Sequence, residues 1–260
     1  MAKKLINTNK NKNIVIKLNS ITRLLNKELK ISAIKDQSRN GLQVRASTNI
    51  TKIGLAVDAS IDSFREAKRM GCDLLIVHHG LMWEGQKDTA NLIKKRTEFL
   101  KSNNLSLYAA HLPLDKNIEH GHNSYILKLL HANRIISFGN VGYIGYLKNP
   151  KTVKTLINEI ERGLNTKCVL WRFGKEKVKK VAVVSGAGSS FILEAIKNKV
   201  DLFVTGEVFS WEYNNAKEGK LNVAIAGHYK TETSGVISLG ELLKNKFGLK
   251  TVFIDMPNGL

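Results

Sequence analysis

Apolar and polar positions alternate along this chain in two rhythms. Ile14, Leu18, Ile21 and Leu25 recur at helical spacing, which predicts an amphipathic first helix with Lys17, Arg23, Lys27 and Lys30 on or near its wet side. From Ile53 the pattern becomes strand, turn, helix, strand: IGLAVDAS, then IDSFREAKRMG, then CDLLIVHHG. Leu74 to Val77 form a continuous apolar run of the kind that fills a strand buried on both faces. Asp58 and Ser60 are available to cap the intervening helix and Gly71 to end it. A helical stretch around Asn91 to Lys101 leads into the strand of LSLYAAHLPLDKN, and a helix from about Thr152 to Leu164 precedes the strand-like CVLWRF.

The strand-helix-strand pattern then returns. A gapless shift of 128 residues lays VAVVSGAGSSFILEAIKNKVDLFVTGE over the segment that begins IGLAVDAS, pairing Glu66 with Glu194, Ala67 with Ala195, Asp73 with Asp201 and Leu74 with Leu202. Such a repeat predicts an α/β fold of two interlocked pseudo-symmetric lobes, with mostly parallel strands and helical crossovers. The expected division is 1–125 for the first lobe and 126–260 for the connecting segment and second lobe.

Composition narrows the class. Of 260 residues, 43% are hydrophobic and 24% charged, which excludes disordered and fibrous chains. No apolar run approaches the roughly 20 residues of a membrane span, so no membrane partner is expected. Residues 1–13, MAKKLINTNKNKN, are expected to fray, and they lack the cleavage pattern of a signal peptide. A cytoplasmic protein follows, with Cys72 and Cys168 as buried reduced thiols. Charge is the outlying quantity: 41 Lys and Arg against 22 Asp and Glu give +19, which favours polyanionic partners. No helix-turn-helix, zinc-finger or RNP pattern is visible, so nucleic acid would be held without reading its sequence.

Chemistry collects where strands end. His78 and His79 close the apolar run, and neighbouring strand residues point to opposite faces. They can serve one site only if the backbone turns there, or if each holds a different ion. After the next strand come His111 and, four residues on, Asp115; the second lobe answers with His228 and Glu232. A separation of four puts both side chains on one face of a helical turn. Glu207 falls opposite His79 in the repeat, and ligands of open α/β sheets gather at such strand ends. Imidazole and carboxylate suit Zn, Fe, Mn or Co, and this donor set is large enough for two ions with open positions for water. Hydrolysis is the natural reaction class for such a pair. The glycine turn from Ser185 to Ser189 is expected to offer free N–H groups to an anion. His120, His122 and His131 read as surface or loop residues, with contact to the site the alternative for His122.

Taken together, HHGLMWEG, HLPLD, VSGAG, VDLFVTGE and GHYKTE, in this order, resemble the motif series of the Nif-three-like family, whose members are often labelled GTP cyclohydrolase type 1 type 2 homologues. The resemblance runs from about RNGLQV to the C-terminus. It implies two divalent transition-metal ions per chain, with His78, His79, Asp115, His228 and Glu232 as ligands and Glu232 bridging. It also implies a pocket or catalytic role for His111, and a ring-shaped homohexamer whose metal sites face an internal cavity. Two positions depart from the family pattern: Tyr143 stands where arginine is common, and His122 where glycine is usual. The leading expectation is a dinuclear metal-binding protein that holds single- and double-stranded DNA nonspecifically through its basic surface. The alternative is a metal-dependent hydrolase of a nucleotide, phosphoester or cyclic amide, with His111 or Glu207 moving protons.

Overall fold

A computed structural model of the chain describes residues 14–85 and 89–259. The basic segment 1–13 lies outside the described residues. The first half runs β1 (Ile16–Lys17), α1 (Leu18–Glu28), β2 (Gly41–Val44), β3 (Asn49–Ile50), β4 (Lys52–Asp58), α2 (Ile61–Arg69), β5 (Leu74–His79), α3 (Ala90–Ser102), β6 (Ser106–Ala109), α4 (Leu112–Asp115) and α5 (His122–Leu129). There follow β7 (Ala132–Phe138), β8 (Gly142–Thr152), α6 (Val153–Leu164), β9 (Val169–Trp171), β10 (Lys177–Val184), α7 (Ile192–Lys197), β11 (Leu202–Thr205) and α8 (Glu212–Glu218). The chain ends with β12 (Asn222–Ile225), α9 (His228–Thr231), α10 (Thr233–Phe247) and β13 (Lys250–Phe253).

Among the described residues these strands form a five-stranded sheet in the order β13-β4-β5-β6-β2, a six-stranded sheet in the order β7-β8-β10-β11-β12-β9, and the small pair β1-β3. The strands that carry the repeat are parallel, β4-β5-β6 in one sheet and β10-β11-β12 in the other. The edge strand β13 also pairs parallel, with β4, whereas β2, β7, β8 and β9 pair antiparallel, so the expectation of mostly parallel strands holds for the sheet centres and the β13 edge and gives way at the other edges. Leu74, Leu75, Ile76 and Val77 are fully buried, as a central strand covered on both faces requires.

The repeat is physical as well as textual. The register pairs Ile53 with Leu74 in one sheet and Val181 with Leu202 in the other, the same pairing displaced by 128 positions. Asp73 accepts backbone N–H groups from Thr51 (2.7 Å) and Lys52 (3.2 Å). Its repeat partner Asp201 accepts those of Lys179 (3.0 Å) and Lys180 (2.9 Å). Each aspartate thus ties the start of one parallel strand to the start of the next.

Ser60 caps α2 through a reciprocal pair with Ser63, and Gly71 follows the helix with φ +73°. Asp58 does not cap; its carboxylate turns to His79. The first helix buries Leu18, Ile21 and Leu25 but begins at Leu18, leaving Ile14 before it and 45% exposed. Cys72 is a buried free thiol, whereas Cys168 is only partly covered.

The sheets divide the chain differently from a cut at 125/126, which falls inside α5. After the second sheet is complete, α10 carries the chain back and β13 pairs with β4 in the first. Val236, Leu239 and Leu243 of α10 share a core with Leu18, Ile53, Leu55 and Leu74. The last element of the chain is therefore part of the first lobe's core, which is how the lobes interlock. No helix among the described residues is long and apolar enough to cross a membrane.

Replacing Asp73 or Asp201 with alanine should leave two N–H groups without their acceptor and cost about 1–3 kcal/mol. Urea unfolding measures this, with Asp62→Ala, at an exposed position, expected within about 0.5 kcal/mol of the parent.

Candidate metal centre

The centre lies where the ends of both sheets meet. His78 is fully buried at the end of β5, and its Nδ1 lies 2.9 Å from the carbonyl oxygen of Ala110. His79 sets Nδ1 2.8 Å from Asp58 Oδ1, because the parallel register puts Asp58 of β4 opposite it. His111 precedes α4 and sets Nδ1 2.9 Å from Asp36 Oδ1. At each ring the carbonyl or carboxylate accepts the Nδ1–H, so the Nε2 lone pair is free for a ligand. The single helical turn of α4 carries Asp115 into the interior, where Ser185 Oγ donates to its Oδ1 at 2.8 Å.

The second lobe contributes α9. Its turn brings His228 Nε2 to 3.1 Å from Glu232 Oε2, as a four-residue separation on a helix should. Glu232 is buried and sits directly against Gly186, at which φ is +61°. A Cβ on Gly186 would lie 2.1 Å from Glu232 Oε1, so this niche exists only because the residue is glycine.

The carboxylate of Glu232 faces two sets of donors. Its Oε1 lies 3.5 Å from His78 Nε2, which is 3.7 Å from Asp115 Oδ2. Its Oε2 lies 3.3 Å from His79 Nε2 and 3.1 Å from His228 Nε2. The ligating atoms of His79, His228 and Glu232 fall within 4.8 Å of one another, as do those of His78, His79 and His111, and those of His78, Asp115 and His122. The neighbouring histidines therefore do serve one site, with ring centroids 4.7 Å apart, yet they face different oxygens of the same carboxylate. His78 Nε2 and Glu232 Oε2 are buried without a hydrogen-bond partner. Buried acceptors converging in this way are costly unless a cation or protons lie between them.

Electrostatics agree with that picture. Burial pushes the Glu232 carboxyl up, but His78, His228 and His79 outweigh burial and hold it well below the ordinary carboxylate range. Burial and the charge of Glu232 raise Asp115. His228 is raised to about 9: burial opposes this, and Glu232 and then Glu207 overcome it. Protons gathered in such a cluster are those a divalent cation displaces.

The seven site residues expected from sequence thus stand around one centre, though not in equal positions. Glu207 Oε2 lies 3.4 Å from His228 Nδ1, on the far side of that ring from Glu232. Three of the five N–H groups of the glycine turn are taken within the protein. Ser185 N–H donates to Asn123, Gly186 N–H to Thr231 Oγ1 and Gly188 N–H to Thr205 Oγ1. Tyr143 donates its hydroxyl to the carbonyl of Lys116.

His122 is not a surface or loop residue: it is fully buried at the start of α5, with its ring 4.7 Å from that of His78 and edge-on to it. Gly235 makes room for it, since a Cβ there would lie 2.6 Å from His122 Cε1. Burial holds the His122 ring well below its ordinary range. His120 is half-buried beside Ser238 and His131 is exposed. Asp36 was missed in the sequence, where nothing local distinguishes it. Asp58 is available in sequence as a cap, but its place opposite His79 in a parallel register is the signal for its role at that ring. A cavity of about 660 Å3 opens beside His79 and is lined in part by Asp58, Ser60, Arg96 and Tyr229.

Comparison with known proteins follows the same outline. The profile of the Duf34/NIF3 family (NGG1p interacting factor 3) matches residues 16–259. A protein of Archaeoglobus fulgidus named "GTP cyclohydrolase 1 type 2 homolog" is 45% identical over 244 residues, covering 94% of this chain and 99% of its own. One of the same name from Escherichia coli strain K12 is 37% identical over 246 residues, covering 94% and 99%. Among solved structures, "protein ybgI, unknown function" superposes with a TM-score of 0.88 at 35% identity, covering 94% of this chain and 100% of that one. TTHA1606 from Thermus thermophilus does so with a TM-score of 0.88 at 34% identity, with the same coverage. Reduced HcgD from Methanocaldococcus jannaschii, at 24% identity and a TM-score of 0.84, shares the fold.

The support behind His111 is open to a pH test. Burial pushes the Asp36 carboxyl up, but hydrogen bonds from His111, Asn40 and the Ser38 N–H bring it down to about 2 from 3.8. A depressed carboxyl contributes stability that is present above the unfolded value and lost as pH falls through the folded one. That contribution, about 2 kcal/mol, should therefore hold above about pH 4 and disappear towards pH 2. Denaturant unfolding of Asp36→Asn should show a deficit near pH 6 that shrinks on acidification.

Proposed function

We propose that this chain, which belongs to the Duf34/NIF3 family, is a dinuclear metal-binding protein. One divalent transition-metal ion would be held by His78, Asp115 and Glu232 Oε1, and the second by His79, His228 and Glu232 Oε2. The observation that carries this reading is the pair of buried, unpartnered atoms, His78 Nε2 and Glu232 Oε2, inside overlapping ligand clusters. The donors are nitrogen and oxygen, which suits Zn, Fe, Mn or Co. When bound, two such ions supply Lewis acidity to a phosphoryl or carbonyl oxygen and lower the pKa of water.

The chain's own residues would do the rest. Asp58 fixes the tautomer of His79, and Glu207, at His228 Nδ1, would orient that ring. His111, tethered by Asp36, is the group best situated to take or give a proton. The net charge of +19 favours nonspecific nucleic-acid binding as the partner function. The second reading, a hydrolase of a nucleotide, phosphoester or cyclic amide, is favoured by the cavity beside His79, whose size suits a small molecule. A homohexamer is the assembly the family resemblance implies; the stacked, exposed rings of Phe209 and Trp211 suit a subunit contact.

Elemental analysis of the purified protein should find close to two transition-metal ions per chain. Glu232→Ala should lose most of them and His120→Ala none; full metal content in Glu232→Ala rules out the bridge. For nucleic acid, mobility shifts should give similar affinity for single- and double-stranded DNA of unrelated sequence. Affinity should fall steeply with salt, at a slope of about 0.9 per duplex phosphate contacted. Loss of binding on chelation alone, with the oligomer intact, would assign the nucleic acid to the metal centre instead.

A further inference from the structure

One imidazole in the centre has the opposite polarity to its neighbours. His78, His79 and His111 each give Nδ1–H to an acceptor and turn a bare Nε2 inward. At His122 the backbone N–H of Gly235 donates to Nδ1 at 2.9 Å. A neutral imidazole that accepts at one nitrogen carries its proton on the other. His122 therefore presents an Nε2–H, and this nitrogen is buried without any hydrogen-bond partner. To ligate a metal through Nε2 its proton would have to move to Nδ1, where it would face the Gly235 N–H. His122 thus stands among ligands, close to His78 and Asp115, in a tautomer that cannot ligate.

Asp115 Oδ1 takes the hydroxyl of Ser185, and Oδ2, 3.7 Å from the bare His78 Nε2, is the oxygen that would bind metal on the dinuclear reading. A buried donor with no acceptor in the protein is matched by an acceptor that arrives from outside. Because the ring is buried and neutral, it supplies direction without adding charge.

We propose that His122 is a hydrogen-bond donor for a small oxyanion bound at the metal centre, a phosphoryl or carboxyl oxygen on the Asp115 side, and that it does not ligate metal. The proposal rests on the dinuclear reading.

The test uses the full-length, metal-loaded protein with inorganic phosphate as the probe, comparing wild type with His122→Phe and His122→Asn. Elemental analysis should find the same metal content in all three. Calorimetry should find phosphate binding weakened about tenfold or more in His122→Phe, the loss expected for one hydrogen bond to a charged group, and partly restored by the amide donor of His122→Asn. Unchanged phosphate affinity in a loaded His122→Phe protein overturns the donor role alone, and loss of metal from a folded variant overturns it in favour of ligation. A wild type that takes up no metal overturns the dinuclear reading, and this proposal with it. Should His122→Phe fail to fold, 15N-histidine NMR of the wild type decides. An Nε2–H tautomer at His122 beside Nδ1–H tautomers at His78, His79 and His111 is the expected result, and Nδ1–H at His122 overturns the proposal.

Discussion

A buried carboxylate held between imidazoles from two lobes is the constraint on which the rest of this molecule depends. Glu232 is almost fully removed from water, and a carboxylate there is tolerated only with compensation on every side. His78 and His79 reach it from the end of β5, and His228 from its own helical turn after β12. Gly186, at the end of β10, leaves the space it occupies. Since these parts belong to both sheets, the centre requires the lobes to be fixed against each other. The return of α10 and β13 into the first lobe's core provides that fixation.

A second layer of groups holds the candidate ligand side chains in one orientation. Asp58, Asp36 and the carbonyl of Ala110 each accept an Nδ1–H, and Ser185 donates to Asp115. Each of these bonds restricts a ring or carboxylate, which would lower the ordering cost of binding an ion there. His122 follows the same logic with the reverse sense, because the Gly235 N–H sets its tautomer.

How much of this could be read in the sequence depends on whether the cause is local. The repeat was legible because the same packing problem is solved twice, down to Asp73 and Asp201 taking equivalent N–H groups. The His-x-x-x-acid pairs were legible because a single helical turn fixes their spacing. Asp36 was not, since it meets His111 across 75 positions. His122 was misread for a related reason: its burial depends on the space left by Gly235, 113 residues away. In the glycine turn, the N–H groups of Ser185, Gly186 and Gly188 are taken by side chains of α5, α9 and β11, which no local pattern announces.

Net charge and the candidate metal centre are separate properties of the chain, and only the centre depends on the fold in detail. The most direct test of its account is a crystal structure of the metal-loaded protein with anomalous diffraction at the metal edge. The account predicts two peaks about 3.5–4 Å apart, one beside His78 and Asp115, the other beside His79 and His228, with Glu232 bound to both. A single peak, or two peaks with Glu232 touching only one, would contradict it.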